Sequence, residues 1–173
     1  MAAQLHSTLA DFLATYRWSD LQFLAIARGP GGFTGTRLGV VTARTLGQQL
    51  EIPVFPISTL LAYAVQCWQA DATLPDHLAL EMPVQRGQIV ATLCQRQVPQ
   101  DFCLLQPETI WEPSQWEAFV QSLEQPVARR RTDEHLAPSV VAVLQLAARA
   151  YAQGDRPPWS QAEPFYGQQP VTD

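Results

Sequence analysis

The chain has 173 residues, 47% of them hydrophobic and 16% charged, and a formal net charge of −5, a composition that excludes a disordered chain. The acidic balance argues against strong stand-alone binding of nucleic acid, which needs clustered Lys and Arg. No apolar run reaches the ~18 residues of a membrane span, no charged n-region precedes an apolar core as in a signal peptide, and Cys67, Cys94 and Cys103, without C-x-x-C spacing, read as free thiols of a reducing cytosol.

The spacing of Leu5, Leu9, Phe12, Leu13 and Tyr16 predicts a first helix over 3–16 with one apolar stripe. His6 lies near that stripe and reads as a helix-surface or partner contact. Trp18, Ser19 and Asp20 turn the chain into an apolar strand over 23–27. Gly29, Pro30, Gly31, Gly32 and Gly35 then crowd into a bend, and Thr34 is the expected N-cap of a helix running to about Leu50. A strand, a glycine loop and a helix N-terminus together permit an anion site. They equally permit no more than a tight turn and close helix packing. Neither a P-loop nor a dinucleotide fingerprint is present, because Pro30, Thr34 and Thr36 stand where those motifs need other residues. Within the helix, Gly39, Ala43 and Gly47 recur every fourth residue, a stripe that lets either the sheet or a second helix approach closely.

A second strand over 54–57, parallel to the first, leads through Ser58 into a helix over 59–70 with Leu60, Leu61, Ala64, Val65 and Trp68 inward. Residues 71–76 form a polar hinge, which divides the chain into an N-terminal lobe, 1–70, and a C-terminal lobe, 71–173. Strands over 78–82, 88–94 and 102–105 follow as an antiparallel meander. Ser114 and Glu117 match a capping box that opens a helix to about Leu123. Arg129, Arg130 and Arg131 read as a solvated surface run. Pro138 opens a last helix that Gly154 ends, with Val141, Leu144, Ala148 and Tyr151 inward. The tail, 155–173, reads as an ordered extension over the surface.

No catalytic constellation stands out. His6, His77 and His135 are far apart, no H-E-x-x-H or His-x-x-x-His pair could hold a metal, and no G-x-S-x-G elbow is present. Ser58, Ser114 and Ser139 read as turn or cap residues.

The run R-G-P-G-G-F-T-G-T-R-L-G resembles the signature of the TsaB family (also called YeaZ), usually G-P-G-S-F-T-G-[small apolar]-R-[apolar]-G. Gly29, Pro30, Gly31, Phe33, Thr34, Gly35, Arg37 and Gly39 match; Gly32 stands where Ser is usual and Thr36 where Leu or Val is usual. P-V-F-P-I-S-T-L-L-A, R-G-Q-I-V and A-E-P-F-Y carry weaker resemblance. It implies an actin-like, RNase H-like (ASKHA) α/β fold, a mixed sheet with flanking helices. It implies a non-catalytic cytoplasmic subunit with no cofactor of its own, paired with a TsaD-like subunit that holds metal and ATP. With a TsaE-like ATPase they support threonylcarbamoyl transfer to adenosine 37 of tRNA, which this chain would meet only through the complex. The expected interface is a helix bundle using Leu5, Leu9 and Leu13 of the first helix and Gly39, Ala43 and Gly47 of the second, and a homodimer through the same helices is compatible. The alternative is a glycoprotease-like peptidase or a small nucleotide-binding hydrolase of the same fold. Family members usually begin with a strand of the type I-L-A-I-D-T-S and a hairpin before the first helix. The expectation is therefore an N-terminally truncated form whose strand over 23–27 has an unpaired edge.

Overall fold

The computed structural model describes residues 2–97, 101–132 and 136–166. In chain order the elements are α1 (Ala2–Phe12), β1 (Leu24–Ala27), α2 (Phe33–Leu50), β2 (Val54–Ile57) and α3 (Thr59–Ala70). There follow β3 (His77–Pro83), β4 (Ile89–Gln97), β5 (Asp101–Trp111), α4 (Pro113–Gln121), β6 (Val127–Arg131) and α5 (Val140–Ala152). Two compact units result. One joins Met1–Ser58 to Val143–Phe165, and the other is centred on Thr59–Ala142. The single boundary expected near residue 70 differs from this. α3 packs on β3, β4 and β5 and so belongs with the sheet that follows it, while most of α5 and the segment after it return to the first unit.

In the first unit β1 and β2 pair in parallel, from Leu24 opposite Val54 to Ala27 opposite Ile57. The Leu24 and Arg28 amides donate to the Pro53 and Ile57 carbonyls, each at 2.9 Å. Backbone groups alternate sides along a strand, so Ala25 and Ala27 turn theirs to the opposite edge, where no strand pairs among the described residues. Leu24 and Ile26 pack on the core of Val40, Ala43, Val54 and Ala162. Phe23 stacks on Tyr151 of α5 at 5.0 Å and meets Phe55 edge-on at 5.5 Å.

α2 lies on this pair with its small residues inward. A Cβ on Gly39 would stand 3.2 Å from Ile26 Cδ1, and one on Gly47 would overlap Val54 Cγ2. The Gly39–Ala43–Gly47 stripe, expected at a partner interface, therefore faces the chain's own strands. The N-cap also differs from expectation. Gly32 occupies it without a side-chain bond, the Thr36 amide closes the first turn on the Gly32 carbonyl at 2.9 Å, and Thr34 is already helical. α1 ends at Phe12, residues 13–16 continue as a turn and bend, and the expected turn at Trp18–Asp20 is a short 3-10 helix with an Arg17–Asp20 pair at 3.0 Å.

The second unit is a mixed sheet in the order β5-β4-β3-β6. β3, β4 and β5 form the expected antiparallel meander, with β5 longer than the pattern suggested. β6 is a parallel addition that the arginine run had hidden. Arg129 is not simply solvated, since its guanidinium bridges Glu117 of α4 and Glu81 of β3. α4 starts one residue before the expected capping box, with Glu112 as N-cap and Pro113 in the first turn, which leaves Glu117 free to meet Arg129. Fully buried Trp116 anchors α4 against Ala79, Ile89, Ala91 and Leu93. The inward face of α5 is turned from the expected one. Ala142, Val143 and Ala147 are buried, and Val141 and Leu144 are exposed. Gly154, at φ +98°, ends it, with its amide donating to the Tyr151 carbonyl.

Candidate docking face

The glycine loop is pinned at one residue. Gly29 is buried, takes φ +108°, and would bring a Cβ within 3.1 Å of Phe165 Cβ. Gly32 and Gly35 have nothing within 4 Å of a Cβ position. Thr34 is exposed, and the Arg37 guanidinium lies 3.5 Å over the centre of the exposed Phe33 ring. This geometry gives the tight-turn role of the loop a physical content, namely the close passage of the chain's own segment at Phe165. Among the described residues, no group of three or more His, Cys, Asp and Glu side chains could hold a metal ion. His135 lies outside those residues.

The feature with the makings of a site is a groove of about 380 Å³ on the first unit. Leu9 of α1 and Trp18 of the following turn form one side. Leu38, Val41, Thr42, Thr45 and Leu46 of α2 form the other. Successive turns of one helix face supply them, which is why they line up along the groove. Val41 is 59% exposed and Phe12, one turn beyond Leu9, is 73% exposed. Thr45 turns its hydroxyl back to the Val41 carbonyl at 3.0 Å and so presents its methyl outward. The groove is thus mostly apolar, with the Thr45 hydroxyl spent internally, a surface that gains by being covered.

Of the residues expected at an interface, Leu9 lines the groove. Leu5 is half-buried on the same helix, and Leu13 is buried. The α2 contribution comes from Leu38, Val41, Thr42, Thr45 and Leu46, not from the glycine stripe. A signal for them exists in the sequence, because positions 38, 41, 42, 45 and 46 recur at three- and four-residue steps. The glycine stripe occupies the opposite side of the same helix.

The groups with displaced pKa values belong to the second unit. The Arg129 hydrogen bond, followed by that from Gln121, holds the Glu117 carboxyl below its ordinary value of 4.5, and Glu117 in turn raises Arg129. Burial pushes the Cys94 thiol far above its usual range, with Glu108 adding to it. Cys67, Cys94 and Cys103 are all free thiols.

Residues 3–97 match a family model described as TsaD: tRNA N6-adenosine threonylcarbamoyltransferase. The chain is 27% identical over 176 residues to the tRNA threonylcarbamoyladenosine biosynthesis protein TsaB of Escherichia coli (strain K12), covering 90% of this chain and 75% of that protein. It is 34% identical over 91 residues to TsaB of Bacillus subtilis (strain 168), covering 53% of this chain and 37% of that one. YeaZ from Pseudomonas aeruginosa is similar in fold, with a TM-score of 0.75 and 23% identity over 95% of this chain and 85% of that chain.

Proposed function

Because the chain belongs to the TsaB/YeaZ family of tRNA threonylcarbamoyladenosine biosynthesis proteins, we propose that it is a non-catalytic subunit that docks on a TsaD-like partner through the groove between α1 and α2. The observation that carries this reading is the groove itself, apolar, exposed, and set on one face of a helix whose reverse side packs into the core through Val40 and Ala43. In this reading the partner holds ATP and metal, a TsaE-like ATPase completes the assembly, and tRNA is met only in the complex. The site of action is the cytoplasm. Two helices of the partner laid along α1 and α2 would cover Phe12, Trp18 and Val41 together. A second copy of the chain could cover the same apolar surface, so a homodimer would compete with the heterodimer.

The test is Val41→Asp. Val41 is exposed, so the variant should fold with a normal circular dichroism spectrum and melting temperature. Its affinity for the TsaD-like subunit should fall by on the order of thirtyfold or more, the effect of about 2 kcal/mol at a central contact. Undiminished binding by a folded Val41→Asp protein would place docking elsewhere.

A further inference from the structure

We propose that residues 156–165, after α5, are a positioning strap for the docking face, and that Arg44 is the residue through which the strap acts on α2. The inference rests on the docking reading above and assigns the control of that face to a segment on the far side of the helix.

The strap is tied to both strands of the first unit. The Val54 amide donates to the Pro157 carbonyl at 3.3 Å, on the edge of β2 that β1 does not use, and the Phe165 amide donates to the Arg28 carbonyl at 2.6 Å. Between these ties it passes beneath α2. Ala162 is fully buried with Val40 and Ala43, and a Cβ on Gly47 would stand 3.1 Å from Trp159 Cβ. Beyond this apolar contact, Gly47 offers the strap no side chain. Arg44 supplies one. Its Nη1 donates to the Ala162 carbonyl at 3.3 Å, and its guanidinium lies 5.9 Å from the centre of the Trp159 ring. Thr42 and Thr45 of the groove flank Ala43 and Arg44 on the same helical turn. Any shift of α2 on its glycine-lined bed therefore moves the groove, and the strap limits that shift.

The experiment compares Arg44→Gln, Arg44→Lys and Phe23→Leu with the unaltered chain. Phe23→Leu loosens the aromatic cluster on the other face of β1, which reaches the strap at its first residue, Arg156, over the Tyr151 ring, but touches neither Arg44 nor the groove. Affinity for the TsaD-like subunit is measured by calorimetry, and stability by thermal melting. Arg44→Gln should weaken binding by between about two- and thirtyfold, and Arg44→Lys, which keeps a cation and a donor, should recover part of it. Phe23→Leu should lower the melting temperature at least as much yet leave affinity within about twofold. Normal binding by Arg44→Gln would overturn the strap's role while leaving the docking face intact. Losses that merely track melting temperature across all three variants would reduce the strap to an ordinary part of the core and overturn it too. An unaltered chain that fails to bind would remove the docking reading and this inference with it.

Discussion

Gly47 shows how one residue can decide which way a helix faces. A side chain there would have to share space with Val54 Cγ2, and fully buried Val54 has no room to yield. Gly47→Val should therefore destabilise the chain by about 3 kcal/mol through overpacking, read as a lower urea midpoint. A neutral result would mean that α2 lifts off β2 at little cost. Ala43→Trp belongs to the same argument. Ala43 lies in the core beside Val40, so the variant should lose its folded signal outright, and a folded protein that merely fails to bind a partner would return the stripe to the surface. Glu117 makes a different residue-scale prediction. Its carboxyl is held low by Arg129 and Gln121, so the ionised form is favoured in the folded state. The resulting stability is fully present above the ordinary value of 4.5 and is lost as pH falls through the lowered folded value. Glu117→Gln should flatten the stability profile in that acid window and leave it unchanged in shape near neutrality. An unchanged acid limb would show that solvent screens the pair completely.

At the scale of elements, much of the chain was legible because its periods were undisturbed. β1, α2, β2 and α3 lie within a residue or two of where apolar runs and Pro or Gly boundaries put them. β6 was not legible. Val127 and Ala128 are its sole apolar residues, and three arginines erase the alternation, although one of them is spent on Glu81 and Glu117. The inward face of α5 is likewise not the expected one. The spacing points to Val141, Leu144, Ala148 and Tyr151, of which only Tyr151 is partly buried, whereas Ala142, Val143 and Ala147 go in, and the two alanines let the helix approach its neighbours closely. The sheet edges differ in a measurable way. β5 carries Pro107 and register irregularities, and β6 carries its arginines, both familiar guards of an edge. β1 has neither, and the Ala25 and Ala27 amides point away from β2. Hydrogen exchange at those two amides should be faster than at Leu24 and Ile26 by orders of magnitude, because the latter pair is bonded to β2. Equal protection along all four residues would mean that something covers the edge in solution.

At the scale of the molecule, the sequence invites a cut that the fold does not make. Composition changes near residue 70, and a reading in chain order closes a first lobe there. The first unit is nevertheless discontinuous. Tyr151 completes the aromatic cluster of Phe23 and Phe55, and Ala162 and Trp159 complete the core under α2, all from residues that come more than 90 positions later by the 24–27 and 143–165 numbering. Such long-range closure leaves no trace in local periodicity, so the candidate face could be read from α2 but not its support. A fragment of residues 1–70 would retain both groove-forming helices and both strands of the unit. It would lack what covers Phe23, Phe55, Val54 and Gly47, and the apolar surface so exposed is several large side chains, each worth about 1.5–3 kcal/mol when buried. That exceeds the margin by which small domains are stable. The fragment should show no cooperative thermal transition and should not compete with the intact chain for the TsaD-like subunit. A cooperative melt from residues 1–70 alone would show that α5 and the strap decorate the first unit and do not complete it.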